Sequence, residues 1–73
     1  MDDLAIYHVE IQGRVDEKEL NANGPLHLKV VRAETGSTLL ALQTDQSGLI
    51  GLLRHLHTQG YLLKSILVEK NLF

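Results

Sequence analysis

Hydrophobic and polar positions alternate over several stretches of the chain. In Ile6-Tyr7-His8-Val9-Glu10-Ile11-Gln12, the side chains of Tyr7, Val9 and Ile11 share one side, and His8, Glu10 and Gln12 share the other. Period two with one apolar side predicts a half-buried strand. Gly13 ends it or marks a bulge. Leu26-His27-Leu28-Lys29-Val30-Val31-Arg32 repeats the pattern, with Leu26, Leu28 and Val30 on one face and His27 and Lys29 on the other. Glu34-Thr35-Gly36-Ser37 supplies a turn, with glycine where a hairpin commonly needs positive φ. The third strand, Thr38 to Thr44, is apolar on both faces in its middle, which suits a central strand or a covered outer face. Tyr61 to Glu69 predicts a fourth strand. Its alternation is imperfect, with Leu63 and Leu67 on one face and Ile66 and Val68 on the other. Asn71-Leu72-Phe73 is a tail.

The period changes between Asp45 and Gly60. Leu49, Leu52, Leu53 and Leu56 fall on one face at 3.6 residues per turn, widened by Ile50. Thr44 or Asp45 can cap the start, because a short oxygen-bearing side chain accepts a bond from an unpaired first-turn N–H. A carboxylate there also suits the helix dipole. Gly60 fits the left-handed position past the end. Gly48 and Gly51 oppose helix propensity by about 1 kcal/mol each. They suggest close packing of helix on sheet, with anion binding by first-turn N–H groups as the weaker alternative. The stretch from Arg14 to Pro25 is the least regular. Asp16 to Leu20 predicts at most a short helical turn, and Asn21-Ala22-Asn23-Gly24-Pro25 has loop chemistry.

The order strand, loop, strand, strand, helix, strand predicts one α+β domain over residues 1–73, a four-stranded, mainly antiparallel sheet with one main helix on one face. The preferred topology is ferredoxin-like with a degenerate first helix, which sets strand one between strands three and four. The alternative is a meander of the first three strands with the fourth beside the third. With one helix over four strands, part of the core face near the missing first helix lacks cover. The other face is expected to carry Leu39, Ala41, Ile66 and Val68, an apolar patch of the kind that marks an interaction surface.

Composition narrows function mostly by exclusion. Seventy-three residues make one small core, which a second subunit would help to stabilise. With no cysteine, disulfides and thiolate metal sites are excluded. The formal charge of −2 and the scattered Lys and Arg argue against nucleic acid, as does the lack of base-stacking aromatics on the sheet. No apolar run approaches a membrane span, and Met1-Asp2-Asp3 has the wrong charge for a signal peptide, so a cytoplasmic protein without membrane association is expected.

The run Thr44-Asp45-Gln46-Ser47-Gly48-Leu49-Ile50-Gly51-Leu52-Leu53, then Leu56 and Gly60-Tyr61-Leu62-Leu63-Lys64-Ser65-Ile66, resembles a group of small uncharacterised bacterial proteins. Those read D-Q-x-x-L-x-G-L-L, a polar helical segment, and L-G-x-x-L-x-S-V. The first strand ending in Gly13 and the hairpin at Gly36 fit the same layout. Thr58-Gln59-Gly60 departs from the usual leucine before glycine, and Leu20 or Asn21 stands where an aromatic is common. The resemblance implies a fold and carries no catalytic residues.

Candidate chemistry is sparse. His55 and His57 are two apart on a helix and point to different sides, so they cannot chelate one ion from that helix alone. His8 and His27 lie on polar strand faces, but the preferred strand order separates them by roughly 9–10 Å. Asp45 and Gln46 form a polar pair at the helix start, read as a cap, with orientation of a small ligand as the alternative. No nucleophile stands with a base, and no phosphate loop is present, so no catalytic activity and no cofactor are expected. The expected function is a small protein-interaction or self-associating module, pairing with itself as a homodimer or with another protein. The alternative, by fold analogy, is a small-molecule-sensing regulatory domain.

Overall fold

A computed structural model describes residues 4–23 and 26–69 of the chain. The expected Asn71–Phe73 tail and the Gly24-Pro25 pair lie outside the described residues. The elements follow in the order β1 (Ala5–Gln12), α1 (Glu17–Asn23), β2 (Lys29–Glu34), β3 (Ser37–Thr44), α2 (Gln46–Thr58) and β4 (Leu63–Glu69). The sheet is antiparallel, with strand order β2-β3-β1-β4. This is the ferredoxin-like βαββαβ arrangement, and β1 lies between β3 and β4 as the pattern predicts.

Register settles which residues face the helices, because directly opposed residues of an antiparallel pair share a face. Tyr7, Val9 and Ile11 oppose Leu42, Leu40 and Thr38. Val9, Ile11, Leu40 and Leu42 join Leu20 and Leu28 and the helix residues Leu49, Leu52 and Leu56 in one buried cluster. Each such side chain, taken fully out of water, contributes about 1.5–3 kcal/mol before the entropy of ordering it.

Helix α2 begins and ends as its sequence predicts. Asp45 caps the start, its Oδ1 accepting the Gly48 N–H at 2.7 Å. At the far end Gly60 takes φ +91°. Gly60 N–H donates to the His57 carbonyl and Tyr61 N–H to the Leu56 carbonyl, both at 3.0 Å. That pair of bonds is a Schellman ending, and it folds Tyr61 back beside Leu56.

The segment expected to be a loop with at most one helical turn is instead a seven-residue helix, α1. Two local features and a set of tertiary bonds explain it. The Asp16 carboxylate accepts the N–H of Lys18 at 3.0 Å and of Glu19 at 3.4 Å. Glu17 and Glu19 suit the positive helix end. Tertiary bonds then hold so short a helix, which propensity alone would not. Glu17 Oε2 accepts the Val30 N–H at 2.6 Å, and Asn21 both accepts from Leu28 N–H at 2.6 Å and donates to its carbonyl at 3.0 Å. Leu20 therefore enters the core, and the expected gap in cover near strand two is closed.

The two helical glycines differ. A β-carbon at Gly48 would collide with the hydroxyl of the buried Thr44, so any larger residue there must displace that side chain. A β-carbon at Gly51 meets nothing within 4 Å, so close packing on the sheet does not account for it. Gly51→Ala is accordingly expected to stabilise the fold by up to about 1 kcal/mol, and Gly48→Ala to destabilise it. Asp45→Ala is expected to cost about 1 kcal/mol, with Asp45→Asn retaining most of the cap. Chemical denaturation of the variants reads all three signs.

Candidate functional site

The four residues expected to form one outer-face patch are divided between two faces. Leu39 opposes Glu10, and Ala41 opposes His8, on the face away from the helices. Ile66 opposes Val9 and Val68 opposes Tyr7, so both are on the helix side. The physical reason is a bulge. Glu10 pairs with Ser65 and Ile11 with Leu63, leaving Lys64 as the extra residue. The bulge brings Leu63 onto the helix side with Ile66 and Val68, and leaves Leu67 on the open face opposite His8. The expected grouping of Leu63 with Leu67 fails for the same reason.

The open face is mixed. Leu39 and Ala41 are half-buried among charged and polar neighbours. Across it, Glu10 accepts from Ser65 Oγ at 3.3 Å and lies 3.8 Å from Lys64 Nζ, and His8 Nε2 meets Glu69 Oε1 at 3.4 Å. Arg32 Nε pairs with Glu34 at 2.9 Å. Exposed pairs of this kind add little stability, but they interrupt the apolar surface.

The exposed apolar surface concentrates elsewhere, on β4 and the loop before it. Leu62 (62% exposed), Leu63 (49%), Leu67 (66%) and Val68 (47%) are four of the seven large exposed hydrophobic side chains among the described residues. A fifth, Ile50, falls on the same stripe of α2 as Leu53 and His57, at spacings of three and seven residues. Leu53, Leu56 and His57 of α2 and Tyr61, Leu62 and Leu63 line a cleft of about 190 Å³ floored by Ile11. Leu62, Leu63 and Val68 thus continue the helix-side strip of α2 and the cleft, while Leu67 lies on the opposite face of the same strand.

β4 is also an edge strand, and its backbone is available. Gln12 N–H donates to Leu62, on the β4 side, while Gly13 N–H donates to Gly36, on the β3 side. Alternation along an antiparallel ladder then turns the even residues of β1 toward β4. Their partners Ser65, Leu67 and Glu69 point back at β1. Ile66 and Val68, by the same alternation, direct their N–H and C=O outward, where no further strand of the sheet lies beside β4. The opposite edge, β2, is protected. Glu17 takes the Val30 N–H, Val31 is a bulge, and Lys29, Arg32 and Glu34 are charged.

The remaining sequence candidates stay apart or serve the fold. Asp45 is consumed as the α2 cap, and Gln46 beside it is exposed. His8 is on β1 and His27 just before β2, with β3 between those strands. No group of three His, Cys, Asp or Glu able to hold a metal occurs among the described residues. Among them, no helix is long and apolar enough to cross a membrane. A scan against protein-family models, a search of curated proteins and a search of solved structures each return no match to this chain.

The sequence reading sets Ile66 and Val68 on the wrong face; the signal it passes over is that Ser65 and Glu69 share the parity of Leu67, which marks that side of the strand as the wet one. At concentrations where the chain is a single copy, the amides of Ile66 and Val68 are expected to exchange with solvent at least tenfold faster than those of Ser65 and Leu67. Hydrogen exchange read by NMR checks this.

Proposed function

We propose that the protein is a small interaction module that associates, with itself or with another protein, through the β4 edge. The observation that carries this reading is the coincidence, on one edge strand, of free backbone groups and the largest share of exposed apolar side chains. Sheet edges of this kind are templates for strand addition, and soluble proteins blunt those they do not use. Here α1 blunts β2, while β4 keeps Ile66, Leu67 and Val68 in a row. Leu39 and Ala41 form a second, weaker candidate, because charges surround them.

The cleft beside Tyr61 supports a second reading, a small-molecule-sensing regulatory domain. Its lining is mostly apolar, with His57 and Tyr61 as the residues that carry polar groups, and it has room for a group the size of one or two side chains. Shifts in the Leu53 and Leu56 methyl signals on adding amino acids or nucleotides support that reading; an unmoved spectrum across the panel removes it.

Sedimentation equilibrium of the pure chain over a wide concentration range tests self-association. A mass rising toward twice that of one chain is expected. Leu67→Lys combined with Leu62→Ser is expected to weaken association at least tenfold while leaving the unfolding transition of the single chain within a few degrees. Association unaffected by these changes places the contact off the β4 edge.

A further inference from the structure

Resting on that reading, we infer that the occupant of the β4 edge is a second copy of this chain. The two β4 strands pair antiparallel about a twofold axis perpendicular to the sheet, with Ile66 opposite its own counterpart, so that the sheets of both copies form one continuous surface.

Symmetry and backbone chemistry restrict the arrangement. A twofold axis perpendicular to the sheet makes adjacent edge strands antiparallel and keeps both helix layers on the same side. Opposed residues then share a face, so an even residue must meet an even one. Ile66 and Val68 satisfy this, since both point their N–H and C=O outward. Ile66 bonding to its counterpart uses these groups and keeps the bulge at Lys64 near the end of the paired segment, where a ladder tolerates it.

Charge selects among the remaining choices. Lys64 and Glu69 stand near opposite ends of β4, and the Lys64 amine and Glu69 carboxylate both reach the open face, where they meet Glu10 and His8. Antiparallel pairing centred on Ile66 brings Lys64 of each copy beside Glu69 of the other. Parallel pairing, from an axis along the strand, would instead place Lys64 beside Lys64 and Glu69 beside Glu69. Centring on Leu67 would shorten the paired stretch of β4 from residues 63–69 to residues 65–69, and centring on Ser65 would carry the bulge into the middle of the ladder.

The same placement covers the apolar strip. Val68 of one copy comes over the bulged end of the other, beside Leu63. The α2 flanks that carry Ile50 and Leu53 turn toward each other across the seam. A foreign peptide could use the free amides, but only a second copy supplies this charge pattern and this helix flank together.

Val68→Pro tests the arrangement. Proline removes an outward N–H and sets its ring against the incoming strand, yet leaves the β1 ladder whole, since Val68 does not bond to β1. It is expected to sediment as one chain with its far-ultraviolet circular dichroism retained, while the open-face variant Leu39→Asp/Ala41→Asp remains a dimer. Hydrogen exchange on the unmodified chain keeps the test independent of whether that proline variant folds. The Ile66 and Val68 amides are expected to slow at least tenfold between dilute and concentrated samples. A dimer that splits with the open-face charges, or in which those two amides do not slow, overturns the strand pairing and leaves self-association standing. An unmodified chain that sediments as one copy at every concentration overturns the second copy as the occupant and leaves the edge to another protein.

Discussion

The structure depends on β1 being paired along both sides. Its odd residues bond to β3 and its even residues to β4, and its helix-side residues Val9 and Ile11 have no exposure at all. Every other element is placed relative to that strand. β3 brings Leu40 and Leu42 alongside it, β4 brings Ile66, and the helices close over the face so formed. Because β1 is central, the two ends of the order fall to β2 and β4, and a four-stranded open sheet must do something with both.

The two edges are treated differently, and the difference is chemical. β2 is sealed from within the chain. Glu17 and Asn21 reach from α1 to the backbone at Val30 and Leu28, which gives outward polar groups partners and anchors a helix too short to persist alone. Burial of Leu20 then adds core that a chain of this size can ill do without. β4 has no such helix beside its outer side. Its outward amides lie in the plane of the sheet, flanked by Leu63, Ile66 and Val68 on the helix side and by Leu67 on the open face, and the functional reading grows out of that asymmetry.

The alternation of β1, the period of α2, its cap at Thr44 or Asp45, the terminal glycine and the central position of β1 are legible in the sequence, because each is a local pattern or follows from compactness, whereas β2 starts at Lys29, three residues later than its alternation suggests, and bulges at Val31. Two further things are not. The helix α1 is held by side chains that bond to residues seven to thirteen positions away, and Asp16 to Leu20 shows only a capped acidic turn until those partners are in place. The faces of β4 were assigned the wrong way round because a bulge at Lys64 breaks the parity between Leu63 and Leu67. A strand's own residues state which of them share a side; only its neighbours state which side is covered. Leu39 and Ala41 were correctly set on the open face, and the apolar surface expected there is richer on β4 because the open face is crossed by Glu10, His8, Lys64 and Glu69.

The most direct measurement is an isotope-filtered nuclear Overhauser experiment on a mixture of labelled and unlabelled chain, which records only contacts between copies. Pairing of the β4 edges gives cross-peaks from the amide and methyl protons of Ile66 and Val68 to β4 of the other copy, with none to Leu39 or Ala41. Cross-peaks confined to Leu39 and Ala41, or none at millimolar concentration, would contradict it.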